Sequence, residues 1–221
     1  MHIRTLGRIA AATALAAAAS LLSGSGAHSA DYMVRNPAFT ASTSPVATFN
    51  NPRDGRPDEI KNHLIDLIDH AEPGTKITGS VLTFNDNEVG NALVAAHKKG
   101  VKVRLILDSH SLPDGSKDWL APENVAAGSD SEFPKLYREL GVDRTKDSFV
   151  YVCPRNRGCI GARPEEVIGK TTLNHNKFFL FEKVGAVTNL VFQSSANLTG
   201  VQLTRYYNNA VTIPSEQLLK E

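Results

Sequence analysis

The sequence predicts an α/β domain in which a mixed β-sheet is flanked by helices. Amphipathic helical patterns at 57–71 and 87–99 each precede a strand-like apolar run, at 76–84 or 101–107 respectively. Strand, helix and strand of these lengths form a βαβ unit, so part of the sheet is parallel. Two further apolar runs around a short turn, between 173 and 199, indicate an antiparallel hairpin that makes the sheet mixed.

The first thirty residues predict a secretory signal peptide. Arg4 and Arg8 give a basic start, and the segment 9–22 is rich in alanine and leucine. Small residues at 25–30 offer a cleavage site. The apolar stretch is too short to span a membrane comfortably. We therefore expect a secreted, extracellular protein.

Composition and size limit the functional classes. The chain has 24 Lys and Arg residues against 23 Asp and Glu, and loss of residues 1–30 leaves 22 against 23, a formal charge of −1. A near-neutral charge argues against a protein whose main function is to bind nucleic acid. After an extended lead-in at 31–51, rich in Ser, Thr, Pro and Asn, residues 52–221 suffice for one domain with its own core.

The remaining elements follow in order. The first helix ends before Pro73-Gly74 and the second before Gly100. After a long loop at 108–131, a third helix is predicted at 132–140 and a strand at 149–153. Because the loop leaves the carboxyl end of a strand, where α/β folds build their sites, we expect it to shape access to a site.

The first strand of the hairpin carries charged side chains. Its apolar part, Phe178 to Phe181, lacks polar alternation, which predicts burial on both faces. Because side chains alternate along a strand, His175 and Lys177 point to one side and Glu182 points to the other. Burying a histidine and an ammonium without partners is costly, so this pair predicts an anion-binding site.

The return strand completes that site. A turn at 183–185 and an apolar run at 190–192 predict that the chain folds back on itself. Antiparallel pairing then places the Ser195 hydroxyl and the Asn197 carboxamide beside His175. An imidazole, an ammonium, a hydroxyl and a carboxamide in one small volume suit a tetrahedral phosphate.

These residues resemble the motif of the phospholipase D superfamily, H-x-K-x4-D followed by G-S-x-N. Glu182 stands where the family has aspartate. Ser194 stands where the family usually has glycine, which raises the question whether position 194 needs a positive φ. The matching positions are His175, Lys177, Ser195 and Asn197.

The resemblance implies a phosphodiesterase that needs no cofactor. In the family, one histidine attacks phosphorus to form a phosphohistidine while a second histidine protonates the leaving oxygen. His175 would be the nucleophile, with Lys177 and Asn197 as the other catalytic residues. Lys177, Ser195 and Asn197 would also bind the phosphate oxygens.

Two further residues are expected to support these groups. The segment 203–213 resembles the family's closing strand, where Asn208 would accept a hydrogen bond from the imidazole and fix its tautomer. Asn209 is an equal candidate, and a plain turn asparagine is the alternative. Glu182 would support the site mainly through packing. No metal is expected, because no histidine has zinc-ligand spacing to cysteine or carboxylate, and His110 is notable only for following a strand end.

Cys153 and Cys159 are the only cysteines, and in an exported chain this close pair predicts a structural disulfide. Four basic residues lie within and after this pair, just before His175. They form either a solvated loop or an electropositive approach to a phosphate substrate. They are Arg155, Arg157, Arg163 and Lys170.

The motif occurs once in the chain, so the second histidine needs another source. Either a C-terminal half with its own motif supplies it, which the long lead-in and loop favour, or a second copy of the chain does. The leading function is a secreted enzyme that cleaves phospholipid head groups, with contact to a membrane surface. A nuclease of the same superfamily is the alternative enzyme, and an inactive phosphate-binding half-domain is the alternative from another class.

Overall fold

The computed structural model describes residues 32–112, 131–154, 158–159 and 172–217. These residues form a mixed β-sheet flanked by helices, which confirms the predicted fold class. The predicted signal peptide at 1–30 lies outside the described residues.

The described residues contain a seven-stranded sheet. In chain order its strands are β1 (Val46–Phe49), β2 (Lys76–Val81), β3 (Lys102–Leu107), β4 (Phe149–Val152), β5 (Lys177–Val184), β6 (Val187–Ser194) and β7 (Asn209–Pro214). Their spatial order is β1-β7-β6-β5-β2-β3-β4. The neighbours β2, β3 and β4 are parallel, as the βαβ pattern predicts, and the other pairs are antiparallel.

Helices connect these strands and pack on the sheet. They are α1 (Glu59–Asp69), α2 (Asn87–Lys98), α3 (Phe133–Leu140) and α4 (Gly200–Thr204). Short 3-10 helices span Pro52–Asp54 and Ser109–Ser111. The Asp86 side chain accepts the Val89 N–H and so caps α2, as its position before the helical pattern suggests. None of the helices in the described segments is long and apolar enough to cross a membrane.

The core lies on one face of the sheet. Phe179 and Phe181 of β5 are buried in one cluster with the apolar sides of α1 and α2. Phe178 and Leu180, which alternate with them, are only half-buried. The prediction of burial on both faces is therefore wrong, because the alternation of β5 turns only one set of side chains toward this core.

The predicted lead-in at 31–51 is part of the domain. Its last residues form β1, an edge strand that pairs antiparallel with β7. Nearer its start, the Tyr32 hydroxyl donates to the Asp69 carboxylate at 2.8 Å. The sheet therefore includes residues that precede the expected domain boundary at position 52.

The closing strand is shorter than predicted. The segment 203–213 was expected to be one strand, but β7 begins only at Asn209 and the residues before it belong partly to α4. Thr199 explains the difference, since its side chain accepts the Gln202 N–H at 3.3 Å and caps a helical turn there.

Candidate active site

The hairpin formed by β5 and β6 brings the motif residues to one end of the sheet. Its two-residue turn has Gly185 at φ +54°, a positive value that favoured two-residue hairpin turns need at the first position. Phe178 pairs with Gln193, and continuing that register places His175 opposite Ala196. The loop that follows β6 therefore begins at the end of the sheet where His175 precedes β5.

Lys177 is buried at the start of β5. Its side chain lies on the same face as the core residues Phe179 and Phe181, and the residue is 6% exposed. Nζ donates one hydrogen bond, to the His175 carbonyl oxygen at 3.0 Å. Among the described residues no carboxylate pairs with it, and burial lowers the pKa of Lys177 from its ordinary value. This ammonium retains donors for an anionic ligand.

Asn197 contributes a second polar group with unused capacity. It is buried, and its backbone N–H donates to Gln202 Oε1 at 2.8 Å. Its Oδ1 atom is buried and has no hydrogen-bond partner among the described residues. Buried side-chain oxygens are normally satisfied, so this carboxamide is available to a ligand or a reacting group. Gln202, which orients the loop, was not predicted from the sequence.

Ser195 lies exposed at the rim of this loop. Its hydroxyl donates to Asn208 Oδ1 at 2.9 Å and accepts the Asn209 N–H at 3.0 Å. The Asn208 amide in turn donates to the Gln202 carbonyl at 2.9 Å. The predicted hydrogen bond from the imidazole to Asn208 is not formed, and the Asn208 side chain instead holds Ser195 and the loop.

His175 itself is exposed, and its ring makes no hydrogen bond to another described residue. Ser194, the departure from the family's glycine, fits without strain because its φ is not positive. Its hydroxyl accepts the Ala196 N–H at 3.0 Å and donates to the Asn209 carbonyl at 3.3 Å. The substitution therefore stabilises the loop through side-chain bonds that a glycine lacks.

Glu182 lies away from the site. It occupies the part of β5 next to the turn, where its carboxylate accepts from Lys76 Nζ at 2.8 Å and from the Lys76 N–H at 2.9 Å. Five residues of extended strand separate it from Lys177, about 17 Å. The expectation that Glu182 supports the site residues is corrected accordingly, since it ties β5 to β2 at the opposite end.

Asp108 supports the motif from the carboxyl end of β3. It is 1% exposed, and its Oδ2 accepts the Asn174 N–H at 2.7 Å, one residue before His175. The Asn174 side chain exchanges hydrogen bonds with the Ser80 hydroxyl at the end of β2. This support was not predicted from the sequence, although an aspartate directly after a buried strand was a signal for it.

The predicted disulfide between Cys153 and Cys159 is present. Gly158 within it has φ +57°, and a Cβ atom there would lie 2.6 Å from the Leu173 carbonyl carbon, so the loop packs on the segment before His175. The four basic residues expected near this loop lie outside the described residues. Both interpretations of them, a solvated loop and an electropositive approach for a substrate, therefore stay predictions.

In the described part of the chain, no group of three His, Cys, Asp or Glu side chains is arranged to hold a metal ion.

Comparisons with known proteins bear on this arrangement. The sequence profile of the family described as "Cardiolipin synthase, PLD-like domain" matches residues 64–221. The structure of NucT from Helicobacter pylori is similar with a TM-score of 0.51 and 16% identity, over 80% of this chain and 91% of that chain. A phospholipase D family member, Nuc from Salmonella typhimurium, has a TM-score of 0.47 and 20% identity over the same shares. A search of the curated proteins finds no match.

Proposed function

The chain belongs to the phospholipase D superfamily, as a PLD-like domain, and from this premise we propose that it is a secreted phosphodiesterase that cleaves phospholipid head groups. The superfamily's phosphodiesterase fold is present. The specific reaction, hydrolysis of a head-group phosphodiester through a phosphohistidine at His175, is the proposal.

The observation that carries the proposal is the unused polar capacity at one end of the sheet. The Lys177 ammonium is buried with a single carbonyl partner, and the Asn197 carboxamide oxygen is buried with none among the described residues. Leaving such groups unpaired costs folding free energy, commonly about 1–3 kcal/mol for each group. A phosphodiester bound beside His175 would accept hydrogen bonds from the Lys177 ammonium, and the Asn197 oxygen, itself an acceptor, would take one from a donor such as the attacking water.

Each residue has a role in that reaction. The neutral imidazole of His175, exposed to the substrate, attacks phosphorus. Lys177 donates to the non-bridging oxygens as negative charge develops on them, and the Asn197 carboxamide assists it. The Ser195 hydroxyl, fixed by Asn208 and Asn209, can turn its hydrogen from Asn208 Oδ1 to a phosphate oxygen.

Exposed apolar side chains favour a lipid as the substrate. Phe49 pairs with Asn209 across β1 and β7, so it stands at the same end of the sheet as the motif. Leu173 lies two residues before His175, and Tyr206 and Tyr207 come just before Asn208. Tyrosine side chains are suited to a membrane–water interface, because the apolar ring and the hydroxyl group face different media. The exposed residues are Phe49, Leu173, Val201, Tyr206 and Tyr207.

Two further parts of the proposal concern export and assembly. The disulfide supports an oxidising compartment, in agreement with the signal peptide predicted at 1–30. Protein recovered from culture medium should then begin near residue 31 by mass and N-terminal sequencing, whereas an intact N-terminus would contradict export. The second histidine of the family mechanism would come from a second copy of the chain or from a further C-terminal half.

The function is tested by two assays on the purified protein. Choline release from phosphatidylcholine vesicles measures the lipid reaction, and nicking of supercoiled plasmid measures the nuclease reaction. We expect choline release that His175→Ala reduces at least 1,000-fold, on the scale of losing a covalent nucleophile. His97→Gln is the matched control, because His97 lies on α2 and bonds Ser148 at the opposite end of β3.

The outcomes separate the candidates. Plasmid nicking without choline release, abolished by His175→Ala, would replace the lipid substrate by nucleic acid. If neither activity depends on His175, the enzyme proposal fails and an inactive phosphate-binding module remains.

A further inference from the structure

An open groove runs along the sheet from the loop that carries Ser195. We propose that this groove holds one acyl chain of the phospholipid substrate and that Phe49 and Ala47 determine how chain length is recognised. The inference rests on the proposed function, because it assigns the part of the substrate that lies next to the cleaved phosphodiester. It adds a lipid-binding subsite to a site that otherwise accounts for the phosphate alone.

The groove is formed where β1, β7 and β6 lie side by side. Its volume is about 380 Å³, and small-molecule sites commonly occupy roughly 300–1,000 Å³. Because Ser195 is one of its lining residues, the groove is continuous with the proposed phosphate position. The lining residues that carry the inference are Ala47, Phe49, Gln193, Ser195, Asn209 and Val211.

The apolar part of the groove lies on the face of the sheet that is turned away from the core. Across β1 and β7, Ala47 pairs with Val211 and Phe49 pairs with Asn209. Ala210, between the two β7 residues, is buried in the core, so its neighbours on the strand point to the opposite face. Phe49 is 61% exposed there. Covering this ring with an apolar ligand would be favourable.

A polar group separates this apolar surface from the phosphate position. The Ser195 hydroxyl accepts the Asn209 N–H at 3.0 Å, so the two residues are in direct contact. The Asn209 side chain is exposed and makes no hydrogen bond to another described residue. Its amide group can therefore donate to an ester carbonyl. Val211 lies two residues further along β7, about 7 Å from Asn209.

The groups of the groove follow the order of the groups in a phospholipid. From its phosphate, a phospholipid continues through glycerol to an ester carbonyl and then to an acyl chain. From Ser195, the groove continues to the Asn209 carboxamide and then to the apolar side chains around Phe49. A nucleic acid would instead bring a further phosphate with each nucleotide. The described lining of the groove contains no Lys or Arg to bind one.

The test measures recognition of chain length with substrates that are dissolved as monomers. Glycerophosphocholine, dibutanoyl phosphatidylcholine and dihexanoyl phosphatidylcholine share a head group and differ in their chains. In the native protein we expect kcat/KM for choline release to rise about tenfold from the dibutanoyl to the dihexanoyl substrate, because each buried methylene group contributes up to about fourfold. The rise should lie mainly in KM, since the chain is bound equally before and during the reaction.

Two variants change the groove in different ways. Phe49→Ser removes its exposed apolar wall, and Ala47→Trp fills its space with an indole ring. Both should reduce the rise between the two chain lengths to about threefold or less. The ratio of kcat/KM for dihexanoyl phosphatidylcholine to that for glycerophosphocholine should fall accordingly. Because Ala47→Trp adds apolar surface, its loss reports lost space rather than lost hydrophobicity.

Val142→Ser is the matched control, since Val142 is also an exposed apolar residue. It follows Gly141, whose carbonyl accepts the Val150 N–H of β4, so it lies by the edge of the sheet opposite β1. This variant should keep the full rise with chain length. Melting temperatures equal to that of the native protein would show that all three variants fold, as expected for exposed positions.

Four results would overturn the inference. The first two are a native protein that does not distinguish chain length and a rise that survives in both groove variants. The third is a loss in Phe49→Ser that appears only with vesicles, which would make Phe49 a contact to the membrane surface. The fourth is equal slowing of all three substrates, which would assign Phe49 to the support of Ser195 or, with a fall in mass by light scattering, to an interface between copies.

These results are distinct from failure of the proposed function. In each of the four cases, choline release that His175→Ala abolishes would still support the phosphodiesterase. Plasmid nicking that Phe49→Ser weakens, without choline release from any substrate, would instead refute both proposals and assign the groove to a nucleotide.

Discussion

A lysine lies near each end of strand β5, and among the described residues only one of the two has a carboxylate partner. Next to the turn, Glu182 accepts hydrogen bonds from both Lys76 Nζ and the Lys76 N–H, so each charge has a partner. At the other end, Lys177 is more deeply buried and reaches only the His175 carbonyl. Among the described residues, no carboxylate compensates it.

This difference indicates that the Glu182 end of β5 contributes to stability and that the Lys177 end is suited to binding a ligand. Burying a charge or an amide oxygen without a partner opposes folding. Lys177 and the Oδ1 atom of Asn197 both carry that cost at one end of the sheet. The paired Lys76 and Glu182 at the opposite end do not. A phosphate at the site end would supply the anionic acceptor that the Lys177 ammonium lacks.

Among variants that compare the two ends of β5, the largest effect is expected from Lys177→Met. Removing the buried donor should lower activity on phosphatidylcholine about 100- to 1,000-fold, the usual cost of losing one group that stabilises developing charge. Folding stability should stay equal or rise, because the apolar side chain removes an unpaired ammonium from the core. Turnover and urea unfolding measure the two quantities.

Lys76→Met is the matched variant at the opposite end. It should leave turnover within about twofold and cost less than about 1 kcal/mol of stability, since its ion pair is partly exposed. Equal losses of turnover in the two variants would remove the functional distinction between the ends.

Phosphate should distinguish the two ends by its effect on stability. At one hundred times its dissociation constant, inorganic phosphate should raise the free energy of unfolding by about 2.7 kcal/mol in the native protein. We expect the gain to be much smaller in Lys177→Met and unchanged in Lys76→Met. Thermal unfolding with and without phosphate measures it, and an equal gain in all three proteins would contradict the assignment of Lys177.

The same experiment has a pH dependence with a defined sign. Burial lowers the pKa of Lys177, so between that lowered value and the ordinary 10.5 the unfolded chain binds more protons than the folded one. Without phosphate, the native protein should therefore gain stability relative to Lys177→Met as pH rises through this window. With phosphate, the added stabilisation should fall over the same window, because the amine loses its charge.

Sequence periodicity was enough to predict the strands and helices whose own residues carry a regular apolar pattern. The spacing of His175, Lys177 and Asn197 was enough to locate the motif. The features that the sequence did not predict depend on pairing between distant segments. β1 is a strand because β7 lies beside it, and its own sequence resembles a linker. The partner of Asn208 depends on a helical turn capped by Thr199, and the Asp108 contact to Asn174 spans 66 residues.

The disulfide between Cys153 and Cys159 lies in a loop that packs on the segment before His175, at the same end of β5 as Lys177. Replacing Cys153 and Cys159 together by serine should cost about 2 kcal/mol of stability, the cost of opening a short loop. Because Gly158 packs on Leu173, we also expect turnover to fall, by less than in Lys177→Met. Two thiols that react with an alkylating agent in the native, unreduced protein would contradict the bridge.

The smallest effect is expected from Glu182→Gln, which tests the correction to this residue's role. The substitution removes the charge that pairs with Lys76 but retains an oxygen for the Lys76 N–H. Stability should fall by less than about 1 kcal/mol, because the pair is partly exposed. Turnover should not change, since about 17 Å of strand separates this carboxylate from Lys177.

Glu182→Asp sharpens the result, because it restores the family's residue and keeps the charge. If Glu182 serves only the junction of β5 with β2, both variants should match the native protein in turnover. The stability difference between Glu182→Gln and the native protein should shrink in high salt, because salt screens the ion pair that the glutamine variant lacks. A tenfold loss of turnover in Glu182→Gln that Glu182→Asp does not share would show that the charge acts on the site through the strand. The two ends of β5 would then be coupled rather than independent.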